Sequence, residues 1–137
     1  MLKTDNSALA GKRALVTAAA RGIGAAVALK LADDSADVAI TYEKSSEYAN
    51  AVVAEIRAMG RKAVAIQADA ALAGSARAAV EQAVEELGGL DILVNNAGVL
   101  FAGYFSTQPL QEIDLVGGLA TSYKSTDRAC GFHCDGR

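Results

Sequence analysis

The sequence predicts an α/β chain built on a doubly wound, parallel β-sheet. Three observations predict it. Short apolar runs alternate with amphipathic helical segments along about the first hundred residues. The runs are continuously apolar, as in strands covered by helices on both faces. The first run enters a helix through a turn of small residues, which opens a right-handed βαβ crossover.

The elements follow in order. "KRALVT", residues 12–17, reads as a short buried strand. "GIGAAVALKLA", residues 22–32, reads as a helix, with Ile23, Val27 and Leu31 on one face at i, i+4 and i+8. "ADVAITY", residues 36–42, is the second strand. "SSEYANAVVAEIRAMG", residues 45–60, is an amphipathic helix whose Ala49, Val52, Val53, Ile56 and Met59 form one stripe, ended by Gly60. "KAVAIQ", residues 62–67, is the third strand. A third helix over residues 74–87 is expected to bury Ala76, Val80, Val84 and Leu87 and to stop at Gly88 and Gly89. "LDILV", residues 90–94, is the fourth strand. The expected strand order is 3-2-1-4. Past Leu115 the periodicity stops, and residues 116–137 read as an irregular tail.

Composition narrows the function. The 137 residues suit one domain, and 52% hydrophobic with 21% charged residues is a folding composition. The net charge is −3 and the 13 basic residues are scattered, so neither nucleic acid nor an anionic membrane is an expected partner. No apolar run approaches the roughly 18 residues that span a bilayer. The opening "MLKTDNSALAGKR" lacks the apolar core of a signal peptide, so a cytoplasmic protein is expected. Cys130, His133 and Cys134 sit together near the end, with no second cluster to complete a tetrahedral site, and no metal is expected.

The stretch "ALVTAAARGIGAAVALKLA", residues 14–32, carries the chemistry. A strand–turn–helix at the start of a βαβ unit places unpaired helix N–H groups and the positive dipole end where a pyrophosphate can bind. Glycines there let the backbone approach phosphate oxygens. The plainer alternative is a small-residue turn that packs a helix on a strand. Gly22 and Gly24 alone leave both open.

"ILVNNAGV", residues 92–99, adds a second motif directly after the fourth strand. With it, "LVTAAARGIGAA" resembles the T-G-x-x-x-G-x-G cofactor loop of the classical short-chain dehydrogenases/reductases, "DILVNNAG" their N-N-A-G element, and "QADA", residues 67–70, their adenine-contacting segment. The resemblance covers residues 8–115 and is nearest in character to the 3-oxoacyl-carrier-protein-reductase-like group. It implies a Rossmann-like domain. Thr17 and Ala18 stand at the first two positions of the cofactor loop, and Arg21, Gly22, Ile23 and Gly24 would line the pyrophosphate and adenosine ribose. Asp69 and Ala70 would meet the adenine, although Asp69 also suits a cap for the helix that follows. Asn96, Ala97 and Gly98 would pass the adenosine side, and Asn95 would tie the fourth strand to its neighbours. Two positions depart from the family pattern: Ala18 replaces the first glycine of the loop, and Ser35 the glycine before the second strand.

The family's acidic position for a free ribose 2′-OH falls here on Tyr42, which carries no charge. Arg21, Lys44 and Ser45 favour the 2′-phosphate of NADP, whereas Glu43 would favour NAD. NADP is the expected cofactor, with NAD the alternative.

The family's chemistry is hydride transfer between the nicotinamide and a carbonyl or alcohol, with a Tyr and a Lys four residues on as the proton-handling pair. No Tyr here has a Lys at that spacing. Tyr123 is followed by Asp127, and no Asn occurs after Asn96. No catalytic residue is therefore assigned. Two functions stand: an oxidoreductase of this type, or a truncated or frame-shifted relative that acts at most as a dinucleotide-binding or oligomerising module. The fourth strand has no clear fifth strand beside it, so self-association is expected.

Overall fold

The computed structural model describes residues 7–98. Seven elements alternate: β1 (Arg13–Val16), α1 (Gly22–Asp33), β2 (Asp37–Tyr42), α2 (Ser46–Ala58), β3 (Ala63–Gln67), α3 (Ala73–Leu87) and β4 (Ile92–Val94). All strand pairs are parallel and the order is β3-β2-β1-β4, as the sequence predicts. The expected tail, with Tyr123 and the cysteine–histidine group, lies outside the described residues.

Two cores form, one on each face of the sheet. Val16, Val38 and Ile40 pack with α1 and α2, including Ala28, Ala49, Val53 and Ile56. Leu15, Ala39 and Ile66 pack with Val80, Ala83 and Leu87 of α3. Successive residues Leu15 and Val16 thus serve opposite faces, as the two-residue strand period requires. This is why the strands are apolar throughout.

The helix faces differ from the sequence reading in three places. In α1 the buried line is Gly24, Ala28 and Ala32, one position round from the expected Ile23, Val27 and Leu31. Small residues let this helix lie close to the sheet, Val27 and Leu31 flank the contact, and Ile23 is 78% exposed. In α2, Ala49, Val52, Val53 and Ile56 are buried as expected, but Met59 has turned outward past the helix end. In α3, Ala79, Val80, Ala83 and Leu87 are buried, Ala76 is half-buried and Val84 is exposed.

The end of the sheet opposite the carboxyl ends of the strands is closed by Arg13. Its Nε and backbone N–H donate to Asp91 Oδ2, both at 2.9 Å, and its Nη1 donates to the Gly88 carbonyl at 2.7 Å. β1 is thereby tied to the α3–β4 connection. The hydrogen bond from the Arg13 guanidinium, followed by that from its backbone N–H, holds the Asp91 carboxyl below the ordinary carboxylate range.

A carboxyl depressed in the folded state stabilises it above the unfolded pKa of about 4 and loses that contribution as pH falls through the folded value. Asp91→Asn is expected to flatten the acid limb of stability below about pH 4. Urea midpoints measured across that range check this; an unchanged acid limb contradicts it.

Ser35 stops α1 in the left-handed region, at φ +76°. The N–H of Ala36 bonds to the Leu31 carbonyl at 3.0 Å and that of Ser35 to Ala32 at 2.9 Å, a closure that favours glycine. Ser35→Gly is expected to stabilise the fold by about 0.5–1 kcal/mol and to raise Tm by a few degrees. A thermal melt with a lower Tm contradicts this.

Candidate cofactor site

The carboxyl ends of β1, β2 and β4 meet where the chain changes direction across the sheet. β1 leads through α1 to β2 on one side, while β4 lies on the other. Such a switch point opens a crevice in a parallel sheet.

Side chains at these ends build the crevice wall. Thr17 Oγ1 accepts hydrogen bonds from the N–H groups of Asn96 and Ala97, each at 3.0 Å. The Asn96 side-chain amide donates back to the carbonyls of Thr17, at 3.1 Å, and Ala18, at 3.2 Å. On the other side of β1, Thr41 Oγ1 accepts from the Ala18 N–H at 3.0 Å, and the Thr41 carbonyl accepts from the Ala19 N–H at 2.9 Å. Among the described residues the link between β4 and its neighbour is made by Asn96, while the expected residue, Asn95, is exposed.

The two glycines serve different needs. Gly22 has φ +62°, and a Cβ there would meet open space. Its requirement is backbone conformation. Gly24 is the opposite case: a Cβ would run into the Asn96 amide nitrogen and lie 2.9 Å from the Ala18 carbonyl oxygen. Its requirement is close approach of α1 to the two loops. Ala18 has φ +52°, a conformation that costs an L-residue about 1–2 kcal/mol relative to glycine.

A cavity of about 470 Å³ opens beside these loops, lined by Ala18, Ala20, Arg21, Tyr42, Glu43, Lys44, Ser45, Asn96 and Gly98. The volume is within the range of small-molecule sites. α1 begins beside it with no side-chain cap and no acidic residue in its first turn, so its leading N–H groups and dipole are available to an anion. Arg21 makes no ion pair among the described residues. Lys44 Nζ lies 3.5 Å from Glu43 Oε1, an exposed and therefore weak pair. Ser45 precedes α2 without making a side-chain cap.

The sequence-derived candidates divide accordingly. Ala18, Arg21, Tyr42, Lys44, Ser45, Asn96 and Gly98 come together at the cavity. Thr17 and Ala97 stand behind it in the hydrogen-bonded wall, and Gly22, Ile23 and Gly24 form the adjoining start of α1. Asp69 and Ala70 follow β3 and do not line the cavity. Asp69 Oδ1 instead accepts from the Ala71 N–H at 2.9 Å, so that carboxylate oxygen orders its own loop before α3. Ala20 is an additional lining residue that the motif reading omitted, and Glu43 lines the cavity alongside the three polar candidates next to it.

Fold and crevice define a doubly wound α/β domain of the dinucleotide-binding class. The family model "short chain dehydrogenase" matches residues 12–126, and the chain belongs to that family. That match runs past residue 115, where the sequence reading ended the resemblance. The chain is similar to an uncharacterized oxidoreductase from Methylorubrum extorquens, with 54% identity over 68% of this chain and 38% of that protein. It is also similar to the 3-oxoacyl-(acyl-carrier-protein) reductase FabG of Staphylococcus aureus, with 50% identity over 64% of this chain and 36% of that protein. A solved short-chain dehydrogenase from Burkholderia cenocepacia in complex with NADP superposes with a TM-score of 0.88 at 53% identity, covering 92% of this chain and 52% of that one. The chain therefore spans well under half the length of these curated relatives and about half of the solved structure. No helix among the described residues is long and apolar enough to cross a membrane.

Gly24→Val is expected to push α1 off the Asn96 amide and to destabilise the domain by about 2 kcal/mol or more. Chemical denaturation measures the loss. A midpoint equal to that of the wild type would show that α1 and the Asn96 loop are not packed as described.

Proposed function

We propose that residues 8–115 form the NADP(H)-binding part of a short-chain dehydrogenase/reductase that transfers hydride between the nicotinamide and a carbonyl or alcohol. One observation carries this reading: Arg21, which makes no ion pair among the described residues, and the uncapped start of α1 border one cavity in which Tyr42 stands at the acidic position. The similar structure from Burkholderia cenocepacia is a complex with NADP, and a similar blue fluorescent protein from a metagenomic library is a complex with NADPH, which supports the cofactor class.

The residues fit such a group. The N–H groups of Gly22, Ile23 and Gly24 and the α1 dipole would hold the pyrophosphate. Arg21, Lys44 and the Ser45 hydroxyl would hold a 2′-phosphate. Glu43 opposes that charge and favours a free ribose, but Lys44 lies beside it and offsets it. Asp69 and Ala70 would border the adenine, and Asn96, Ala97 and Gly98 the adenosine side. When bound, the dinucleotide supplies or accepts the hydride. The protein's part in this region is to bind and orient it. A cytoplasmic location accords with this reading.

The second reading is a dinucleotide-binding or oligomerising module without turnover, since binding is the part of the chemistry for which the described residues supply groups. Self-association would accompany it, because among the described residues β4 pairs only with β1. NADPH oxidation with a panel of ketones separates the readings: turnover supports the oxidoreductase, and binding without turnover supports the module.

Calorimetric titration tests the cofactor assignment. NADPH is expected to bind more tightly than NADH. Arg21→Ala is expected to weaken NADPH about tenfold while changing NADH less than about threefold. Equal losses for the two cofactors, or tighter NADH binding by the wild type, would contradict the assignment and point to Glu43.

A further inference from the structure

We propose that Thr41 is a positioning residue for the cofactor loop: its hydroxyl holds Ala18 in the left-handed turn that forms the cavity wall. The role rests on the dinucleotide reading above. Thr41 is 4% exposed and is the one buried polar residue among the described residues. It interrupts a strand whose neighbours Val38, Ala39 and Ile40 are fully buried and apolar. Valine has nearly its shape, so packing alone does not call for a hydroxyl there. The hydroxyl has a specific partner, the Ala18 N–H at 3.0 Å, and the Thr41 carbonyl takes the adjacent Ala19 N–H.

The loop is gripped from both sides of β1. β2 supplies Thr41, which takes the Ala18 N–H; the segment after β4 supplies Asn96, whose amide takes the Ala18 carbonyl. Both backbone polar groups of Ala18 are thus fixed, one by a side chain of β2 and the other by a side chain of the segment after β4. Ala18 is also the loop residue whose conformation the side chain opposes, with φ +52°, and it lines the cavity. A glycine would adopt this turn without strain and would need less to hold it. With alanine, the unclamped loop has reason to leave the turn, and the cavity wall moves with it. The Thr41 hydroxyl and the Ala18 methyl are therefore coupled.

A double-mutant cycle on the full 137-residue chain tests this, read by NADPH titration and by amide exchange at Ala18. Thr41→Val is expected to weaken NADPH about tenfold with Ala18 in place, and less than about threefold when combined with Ala18→Gly. Thr41→Ser, which keeps the hydroxyl, is expected to bind within about twofold of the wild type. The Ala18 amide is expected to be protected in the wild type and in Thr41→Ser, and to exchange at least about tenfold faster in Thr41→Val. Wild-type affinity in Thr41→Val, or the same loss with and without Ala18→Gly, overturns the role and leaves the cofactor reading standing. No NADPH binding by the wild type overturns the cofactor reading itself. Should Thr41→Val not fold, an unprotected Ala18 amide in the wild type overturns the clamp and a protected one, kept in Thr41→Ser, supports it.

Discussion

The Asn96 carboxamide reaches the carbonyls of Thr17 and Ala18 through space that any side chain at Gly24 would occupy. Three elements meet at that point: the end of β1, the start of α1 and the segment after β4. The hydrogen bonds satisfy carbonyls that the sheet ladder no longer serves once β1 ends. The bond to the Thr17 carbonyl is part-buried and that to the Ala18 carbonyl exposed, so the contact acts through geometry: it constrains how close the helix lies and where the loop runs. Thr17 completes it from the other direction by accepting the Asn96 and Ala97 N–H groups. The crevice is the space left over after these bonds are made.

The rest of the fold serves that geometry. α1 approaches the sheet on Gly24, Ala28 and Ala32, and only small side chains allow the approach. A helix held so close directs its uncapped N-terminus at the crevice. β2 passes on the other side of β1 and ends in Tyr42, with Glu43, Lys44 and Ser45 following as a charged and hydroxylic rim. Arg13 and Asp91 close the opposite end of the sheet, away from the cavity. One end of the sheet is thus closed by an ion pair, while at the other the cation Arg21 makes none among the described residues.

Much of this was legible in the residues. Continuous apolar strands, the glycines after α2 and α3 and the alternation of strand and helix marked the elements, because parallel strands buried on both faces leave a plain signal, and the strand order follows from the doubly wound class. The motifs located the crevice. What was not legible depends on distance rather than pattern. The periodicity of α1 fits two faces one residue apart, and hydrophobicity favoured Ile23, Val27 and Leu31. The closeness of the helix to the sheet selected the smaller set. Met59 and Val84 sit at the margins of their helical stripes, where burial depends on what lies opposite. Asn95 and Asn96 are equivalent as letters; only their directions along the strand end tell which reaches Ala18. That Ala18 must adopt a left-handed turn was visible only as an alanine in a glycine's place. The hydroxyl of Thr41 that holds it is 23 residues away in sequence.

The crevice between β1 and β4 is proposed to hold a dinucleotide with its phosphates at the start of α1. A crystal structure of the 137-residue chain with NADPH tests it most directly. The pyrophosphate is expected against the N–H groups of Gly22 to Gly24, the 2′-phosphate beside Arg21 and Ser45, and Ala18 still in its left-handed turn. A dinucleotide bound away from α1, or a 2′-phosphate turned to solvent with Glu43 on the ribose, would contradict it.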